Sequence, residues 1–594
     1  VLGVRQLAER LDSRFALTMK GRRTAARRQQ TLSATLDWSY ETLSHDERAV
    51  LRRLAVFSGT FPLESALAVA GARGHESGLS GSKVLEGIIG LSSKSLLVTD
   101  VTGSISYRLL EVTREYAREK LAESGELALF ERAHAEHLRD LFDRAEAALR
   151  ARSADEWLAA HRFWVGDVRA ALNWAFSPEG DAAVGVALTV STIPLLFQTF
   201  LVDEYRGHLE TALERVRAAS PPDRVAEVKL TVALGRLLLQ ALNVVPEVIA
   251  LIERAFVISE GLAAPERMHA LWAMWYIEMG RGRNVAAVEV ARKLDEIASR
   301  LPDPSNILYD RMMALPLFFL ADYRGCRMHA ERVLAQAARD RRLAFTAVSH
   351  VQERVSMCAM LSCLTWVEGF PEQALQAAEE NIERALSMNH VTSHCHALAF
   401  AAVPIALWAG RMMQAQQYVT ALLAEATRHS LGFWLAWGHA YEWVIALAED
   451  RAQGISARKA PPGLSFGPLQ ADWLMTMSDE FIDDHALARA ASGQIPWAEP
   501  EVTRRRGVLL LKGAASGAEP AAEALFMQAL AQAHDQGARA WELRSAIELA
   551  ALWAARGQAG RGAGLLSPIV NRFPSGSQSA DLDRARALLA QLAE

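Results

Sequence analysis

The side chains in this sequence best suited to chemistry are thiols and imidazoles. Its four cysteines are Cys326, Cys358, Cys363 and Cys395, and Cys395 stands between His394 and His396. Thiolate and imidazole are zinc ligands, but structural zinc sites take their cysteines from closely spaced pairs. No Cys-x-x-Cys pair occurs here, and adjacent residues on a helix point in different directions. Buried thiols and no bound metal are expected. Acid–base chemistry fares no better, because Glu379 and Glu380 are helical neighbours that diverge rather than share a reacting centre. Gly78-Leu79-Ser80-Gly81-Ser82-Lys83 is the nearest approach to a phosphate-cradling loop. Its order and spacing are wrong for Gly-Lys-Ser/Thr at a helix start, and no apolar strand precedes it. A nucleophile elbow would need a strand-to-helix turn that this chain does not offer. No catalytic residue, cofactor or enzymatic activity is expected.

Two sets of residues remain as binding candidates. Arg22, Arg23, Arg27, Arg28, Arg52 and Arg53 form a cationic cluster suited to phosphate contact or to an interdomain surface. Trp272 with Trp275, and Trp434 with Trp437, are spaced three apart, which puts each pair near one helix face. They could pack between repeats or line a ligand or partner face on a concave surface.

The elements that must position these residues are almost all helical. The 594 residues exceed what one core supports, and Ala, Leu, Arg and Glu favour helix. A net charge of −5 gives no bulk field to attract nucleic acid. Residues 1–30 read as a linker from an upstream domain, so the chain is expected to be a piece of something longer. Residues 31–110 hold helices with inward Leu32, Leu36, Tyr40, Val50, Leu51, Leu54 and Phe57. A capping box is expected at Ser44-His45-Asp46-Glu47. Gly59 is expected to stop the second helix and Pro62 to begin a third, ahead of a loop from Gly71 to Ser82. Leu96–Thr99 and Ile105–Leu109 form a hairpin, which completes a winged-helix arrangement. Residues 111–180 make a helical connector, with one amphipathic run from Glu111 to about Ala148.

From 181 to 594 helix pairs alternate with short turns. A turn residue followed five positions later by Ala recurs as Gly282 with Ala287, Gly369 with Ala374 and Gly410 with Ala415. The expected fold is therefore all-α: a winged helix with one small hairpin, then a tetratricopeptide-like right-handed α-solenoid with a concave face. Ala182–Val202 is long and apolar enough to span a bilayer, but its Thr, Ser, Gln and Pro residues suit burial among helices. No membrane association is expected, and a reducing cytoplasm suits the sparse cysteines.

Three stretches, Arg28-Gln29-Gln30-Thr31-Leu32, Leu36-Asp37-Trp38-Ser39-Tyr40 and Leu51-Arg52-Arg53-Leu54-Ala55-Val56-Phe57, resemble a bacterial branch of the signal-transduction ATPases with numerous domains (STAND, NB-ARC-type regulators). The resemblance continues at Tyr107–Ala117, Arg132-Ala133-His134 and Asn173-Trp174. It returns at Gly537, Trp541-Glu542-Leu543-Arg544 and Leu565–Ile569. It implies a winged helix and connector that follow a nucleotide-binding domain and lead into a helical sensor, within a signalling or transcription-regulating protein. The partners it implies are that upstream domain and a protein or small-molecule inducer on the solenoid. The chain departs from the family in lacking the phosphate loop, and Leu110 stands where wider members place a nucleotide-sensing His. A free-standing interaction scaffold and a DNA-binding regulator are the alternatives. DNA is not favoured, because Lys83–Leu91, the helix in the recognition position, carries one cation and almost no base-reading side chain.

Overall fold

A computed structural model describes residues 27–593 apart from 73–77, 101–104, 150–153, 200–201, 243–244, 301–306, 340–350, 389, 456–465, 514–516 and 575. Arg22 and Arg23 lie outside the described residues. The chain divides into two compact units, one of residues 1–148 and 155–199, the other of 149–154 and 200–594. The sequence-based boundary at 181 thus falls inside the first unit.

The first unit begins with α1 (Arg27–Glu41) and α2 (His45–Leu54). Ser44 caps α2 as expected: its Oγ accepts from the Glu47 amide at 3.2 Å, and its own amide donates to Glu47 Oε2 at 2.8 Å. Two orphan donors at the helix start are thereby satisfied. Ala55, not Gly59, closes α2. Pro62, rather than opening a helix, ends a short strand β1 (Phe61–Pro62) and N-caps α3 (Leu63–Ala70). After α4 (Gly81–Ser93), β2 (Val98–Asp100) and β3 (Ser106–Arg108) pair antiparallel, and β1 joins them in the order β1-β3-β2. The sheet therefore has three strands where a two-stranded hairpin was expected. Two residues are too short to display alternation, and Pro62 is tolerated because it sits on an edge strand.

α5 (Glu111–Glu123) and α6 (Leu127–Leu149) replace the single run expected there. Gly125 separates them with φ +72°, a left-handed conformation that a side chain would oppose. α7 (Ala154–His161), α8 (Val165–Ala175), α9 (Ala182–Ser191) and α10 (Ile193–Thr199) complete the unit. The apolar stretch at 182–202 is thus broken near Thr192. A different stretch, Val391–Trp408, is the one described helical run long and apolar enough to cross a membrane, and 78% of it is buried within the protein.

Several of the stretches quoted for the resemblance touch one another within this unit. Tyr116 donates to Asp37 at 2.7 Å and packs edge-on against Tyr40. His134 Nε2 lies 3.2 Å from Asp167, whose carboxylate also accepts from the Ser58 amide at 2.7 Å.

The second unit is a helical-repeat solenoid of antiparallel helix pairs. Its elements are α11 (Val202–Ala218), α12 (Arg224–Leu242), α13 (Pro246–Ile258), α14 (Ala264–Gly280), α15 (Asn284–Ala298), α16 (Ile307–Phe319), α17 (Tyr323–Arg339), α18 (Glu353–Val367) and α19 (Pro371–Ser387). Then come α20 (Val391–Ala397), a π turn at Leu398–Ala402, α21 (Val403–Trp408), α22 (Met412–Arg428), α23 (Gly432–Ala452), α24 (Pro468–Leu474) and α25 (Asp484–Ala491). The last are α26 (Glu499–Lys512), α27 (Ala518–Gln536), α28 (Arg539–Ala555), α29 (Ala559–Val570) and α30 (Ala580–Ala593).

The turn-residue rule read from sequence has a geometric cause. Gly282, Gly369 and Gly410 all have positive φ, and Ala287, Ala374 and Ala415 are wholly buried. A left-handed residue ends one helix, and the small residue five positions on lets the next helix pack closely. Ala321 with Cys326 follows the same rule with non-glycine residues, which hid it from a search for glycine. Trp366, Trp408, Trp473, Trp497 and Trp541, from helices far apart in sequence, form one aromatic core with ring centroids 4.8–6.4 Å apart.

Candidate functional site

The helix carrying His396 is widened by one π turn, and Pro404 supplies the reason. Proline has no amide hydrogen to give the carbonyl four residues earlier, and its ring crowds that carbonyl. The carbonyls set loose are taken up by side chains: the Cys363 thiol donates to Phe400 at 3.0 Å and the Tyr441 hydroxyl to Ala399 at 2.7 Å. His396 and Phe400, before and within the π turn, line a partly enclosed cavity of about 80 Å³. Trp275, Tyr276 and Met279 of α14, Arg311 and Phe319 of α16, Ser356, Ala359 and Met360 of α18, and Phe433 and Trp437 of α23 also line it. Gly467, which caps α24, Leu469 and Gln470 within it, and Gly280, Leu315 and Val351 complete the wall.

Most of this wall is apolar, and its polar atoms divide into two kinds. Arg311 is held: it donates to the Val351 carbonyl at 3.2 Å, meets Glu353 at 3.4 Å and lies over the Trp272 ring at 5.0 Å. Trp437 Nε1, Ser356 Oγ and His396 Nδ1 have no hydrogen-bond partner among the described residues. Ser356 is instructive because Ser362 and Thr365, on the same helix, each bond the carbonyl four residues back. Ser356 does not. Burial, reinforced by the nearby Arg311 charge, holds His396 down to about 3, so its imidazole is neutral at physiological pH. Burial also depresses Arg311, an effect that Glu353 opposes.

The four tryptophans singled out in the sequence come together here, though on no open concave surface. Trp275 and Trp437 are on the wall. Trp272 stacks on Trp275 at 5.0 Å, and Trp434 packs edge-on against Phe400 and His396. All four are buried. Arg311, Ser356 and Phe400 escaped the sequence reading, since a buried Arg or Ser in a helix looks like any other. A Pro inside an unbroken apolar run was the available signal.

Of the cationic cluster, only Arg52 and Arg53 have described side chains. Arg27 and Arg28 lie in α1. Arg53 is 1% exposed and turned inward, bonded to the Ala70 carbonyl at 3.0 Å and Glu126 at 3.3 Å, with Phe130 beneath it. Arg52 donates to the Tyr40 hydroxyl and pairs with Glu126. Both join α2 to its neighbours. In α4, Lys83 pairs with Asp46 at 3.0 Å and Lys94, just beyond the helix, with Glu47 at 2.6 Å. The face of α4 turned to solvent carries Leu85 and Ile89, the latter 61% exposed. The Gly- and Ser-rich approach to α4 is a helix cap, in which Ser80 Oγ accepts from the Lys83 amide. Leu110 is exposed at the start of α5.

The cysteines are unpaired, with Cys326, Cys363 and Cys395 buried. Burial pushes the Cys326 and Cys395 thiols up to about 12. Among the described residues no three His, Cys, Asp or Glu side chains gather as a metal site. A separate, open groove of about 730 Å³ near the carboxy-terminal end is lined by Met527, Leu530, Trp553, Leu565 and Arg572.

Rv0890c of Mycobacterium tuberculosis, whose name gives it as an inferred HTH-type transcriptional regulator, is 36% identical over 212 residues, 35% of this chain and 22% of that protein. Rv0894 from the same organism is 40% identical over 130 residues, 22% of this chain and 32% of that one. The chain thus spans between a fifth and a third of these relatives. Among solved structures, a STAND protein with a tetratricopeptide repeat sensor, PH0952 from Pyrococcus horikoshii, aligns at TM-score 0.39 and 14% identity, covering 78% of this chain and 65% of that one. A Rap protein complexed with Competence and Sporulation Factor aligns at TM-score 0.39 and 11% identity, covering 68% and 99%. Residues 43–122 match the family model of a winged helix-turn-helix domain, and the order α2-β1-α3-α4-β2-β3 within them is that domain's topology.

Proposed function

We propose that this chain is the sensing and coupling region of a transcription-regulating, STAND-type signalling protein, with a small-molecule site inside its helical repeats and no chemistry of its own. The observation that carries the reading is the partly enclosed apolar cavity whose Trp437, Ser356 and His396 polar atoms lack partners among the described residues. Buried polar groups are nearly always satisfied by protein, water or ligand, so three without a protein partner on the wall of one apolar cavity mark it as a binding site. The winged helix serves as a docking element for a neighbouring domain. Its α4 offers Leu85 and Ile89 to solvent while the cations beside them are engaged in ion pairs. A ligand that prefers one arrangement of the repeats would shift the parent protein between closed and open states by its differential affinity.

A thermal-shift screen of the whole chain against a metabolite collection tests this. A true ligand raises Tm in proportion to the logarithm of its concentration. The same ligand is silent on Ala359→Leu, which fills the cavity. Ligands that stabilise both proteins equally would place binding elsewhere, and the open groove at Met527 and Trp553 would then favour a protein partner. Salt-dependent duplex DNA binding that survives Leu85→Asp/Ile89→Asp would overturn the docking role assigned to α4.

A further inference from the structure

We propose that the helical-repeat unit is a superhelix whose successive turns rest on one another along a seam, and that this seam parts as one to open the cavity. The inference rests on the ligand-sensing reading and names its moving part.

The order of the long-range contacts defines the seam. Gly282, just after α14, faces Arg489 and Asp472. The Phe319 carbonyl, at the end of α16, accepts from the Trp497 amide at 3.4 Å. Gly369, after α18, faces Phe573 and Arg539, whose guanidinium lies over the Phe370 ring at 5.8 Å. At the end of α21 the Trp408 carbonyl accepts from Arg544 at 2.8 Å, and the Ala409 carbonyl from the Ala580 amide at 3.2 Å. Taken in chain order, these four helix ends meet partners that also rise in chain order. A chain that doubled back would meet them in reverse, whereas a superhelix whose next turn lies on the last meets them in this way.

The hold along the seam is of a kind that can be released. Its bonds go to carbonyls at helix ends, which have no partner within their own helix and which water also serves. Trp366 and Trp541, edge-on at 4.9 Å, supply the apolar part. The longest of the bonds, from Trp497 to Phe319, lies beside the cavity that Phe319 lines.

The cavity straddles the seam. Met279 and Gly280 of α14 line it from one turn, and Gly467, Leu469 and Gln470 from the next. A Cβ at Gly467 would stand 4.0 Å from the Gly280 carbonyl oxygen. At about 80 Å³ the space holds several waters, at roughly 10–15 Å³ each, and falls short of the ~150 Å³ that admits benzene. An organic ligand therefore needs the wall to move, and the seam is where two separate turns make the wall. A ligand that fits only the parted seam shifts the population towards it.

Hydrogen exchange of the full chain tests the seam without a ligand. In the wild type, peptides holding the Ala580 and Trp497 amides are expected to share one denaturant dependence, shallower than that of global unfolding. Different dependences overturn the proposal. In Gly410→Ala the added Cβ stands 2.5 Å from that of Ala580, at φ +76°. Gly557→Ala, at φ +72° with nothing within 4 Å, carries the same backbone strain alone and is the control. Both peptides are expected to exchange at least tenfold faster in Gly410→Ala, to be unchanged in Gly557→Ala, and to return to the wild-type rate in Gly410→Ala/Ala580→Gly. Acceleration at Ala580 alone, or equal acceleration in Gly557→Ala, overturns the proposal. The dye anilinonaphthalene sulfonate, larger than the cavity, is expected to fluoresce with Gly410→Ala and not with wild type, and to dim when Ala359→Leu is added. Undimmed fluorescence places the opening elsewhere and overturns the link to the cavity. A metabolite that stabilises the wild type but not Ala359→Leu, and leaves exchange at the seam unchanged, removes the seam and keeps the sensing reading. Exchange and dye results as expected, beside a metabolite screen silent throughout, keep the seam and remove the sensing reading.

Discussion

Two buried polar clusters in the helical unit solve the same problem in opposite ways. Around Glu501 every demand is met. Its carboxylate accepts from Arg504 at 2.7 and 2.8 Å, Arg505 at 3.0 Å and Arg544 at 3.2 Å. The remaining guanidinium donors reach Asp479, Asp581, Glu548, and the carbonyls of Thr476 and Trp408. On the cavity wall, Trp437 Nε1, Ser356 Oγ and His396 Nδ1 instead have no partner among the described residues. A completed network fixes the packing of α26 on α28, whereas an incomplete one around empty space keeps a place for something else.

The widest test of this contrast is removal of a shared acceptor. Glu501→Ala leaves three buried guanidinium groups without their common partner, and a loss of ~3–5 kcal/mol is expected in urea unfolding. A loss below about 1 kcal/mol would mean that the network is solvated and the contrast false.

Acid sharpens the comparison because the two clusters fail at different pH. At the cavity His396 is held at about 3, and outside it His390 and His137 are held at about 4, all by burial and all below the ordinary 6.5. The unfolded chain binds these protons first, so stability is full above pH 6.5 and falls as pH drops towards 3, by up to ~1.4 kcal/mol per pH unit for each group. Glu501 is held at about 2 by its three arginines against the cost of burial. Its contribution is complete above pH 4.5 and is lost only as pH falls from there towards 2. A His396→Gln variant is expected to have a shallower slope between pH 6.5 and 5, whereas Glu501→Gln changes the profile only below 4.5. Coincident changes would merge the two clusters into one.

Smaller effects follow at the cavity wall. Trp437→Phe keeps most of the packing and loses a donor that bonds nothing, so about 1 kcal/mol is expected from lost contacts. Ser356→Ala removes a hydroxyl without a partner and is expected to lie within ~0.5 kcal/mol of wild type in either direction. A cost above about 2 kcal/mol for Ser356→Ala would show that the hydroxyl is satisfied in solution.

Much of this architecture was legible from residue patterns. The capping box at Ser44, the positive-φ glycines at 282, 369 and 410 and the helix break at Gly537 depend on local rules, and local rules can be read along the chain. What escaped depends on partners distant in sequence. β1 is two residues long and has meaning only through Tyr107 opposite Phe61. Arg53 read as a surface cation because nothing in its neighbourhood shows that Glu126 awaits it. The Trp541-Glu542-Leu543-Arg544 motif was visible as a resemblance, but its work is long-range: Arg544 reaches the Trp408 carbonyl, 136 residues away. The tryptophan pairs were legible as pairs, whereas their meeting around Arg311, Ser356 and His396 was not.

The π turn at Leu398–Ala402 acts as a one-residue insertion that has been kept. Along an uninterrupted α-helix, His396 and Trp408 stand twelve residues apart and would point about 120° away from each other. One extra residue absorbed in the turn cuts that to about 20°, so that His396 meets the cavity while Trp408 meets the aromatic core. Deleting a single residue between 398 and 402 would therefore re-index the helix rather than shorten it. Any homologue aligned without that residue should be read as having a differently faced wall, even where every neighbouring side chain matches.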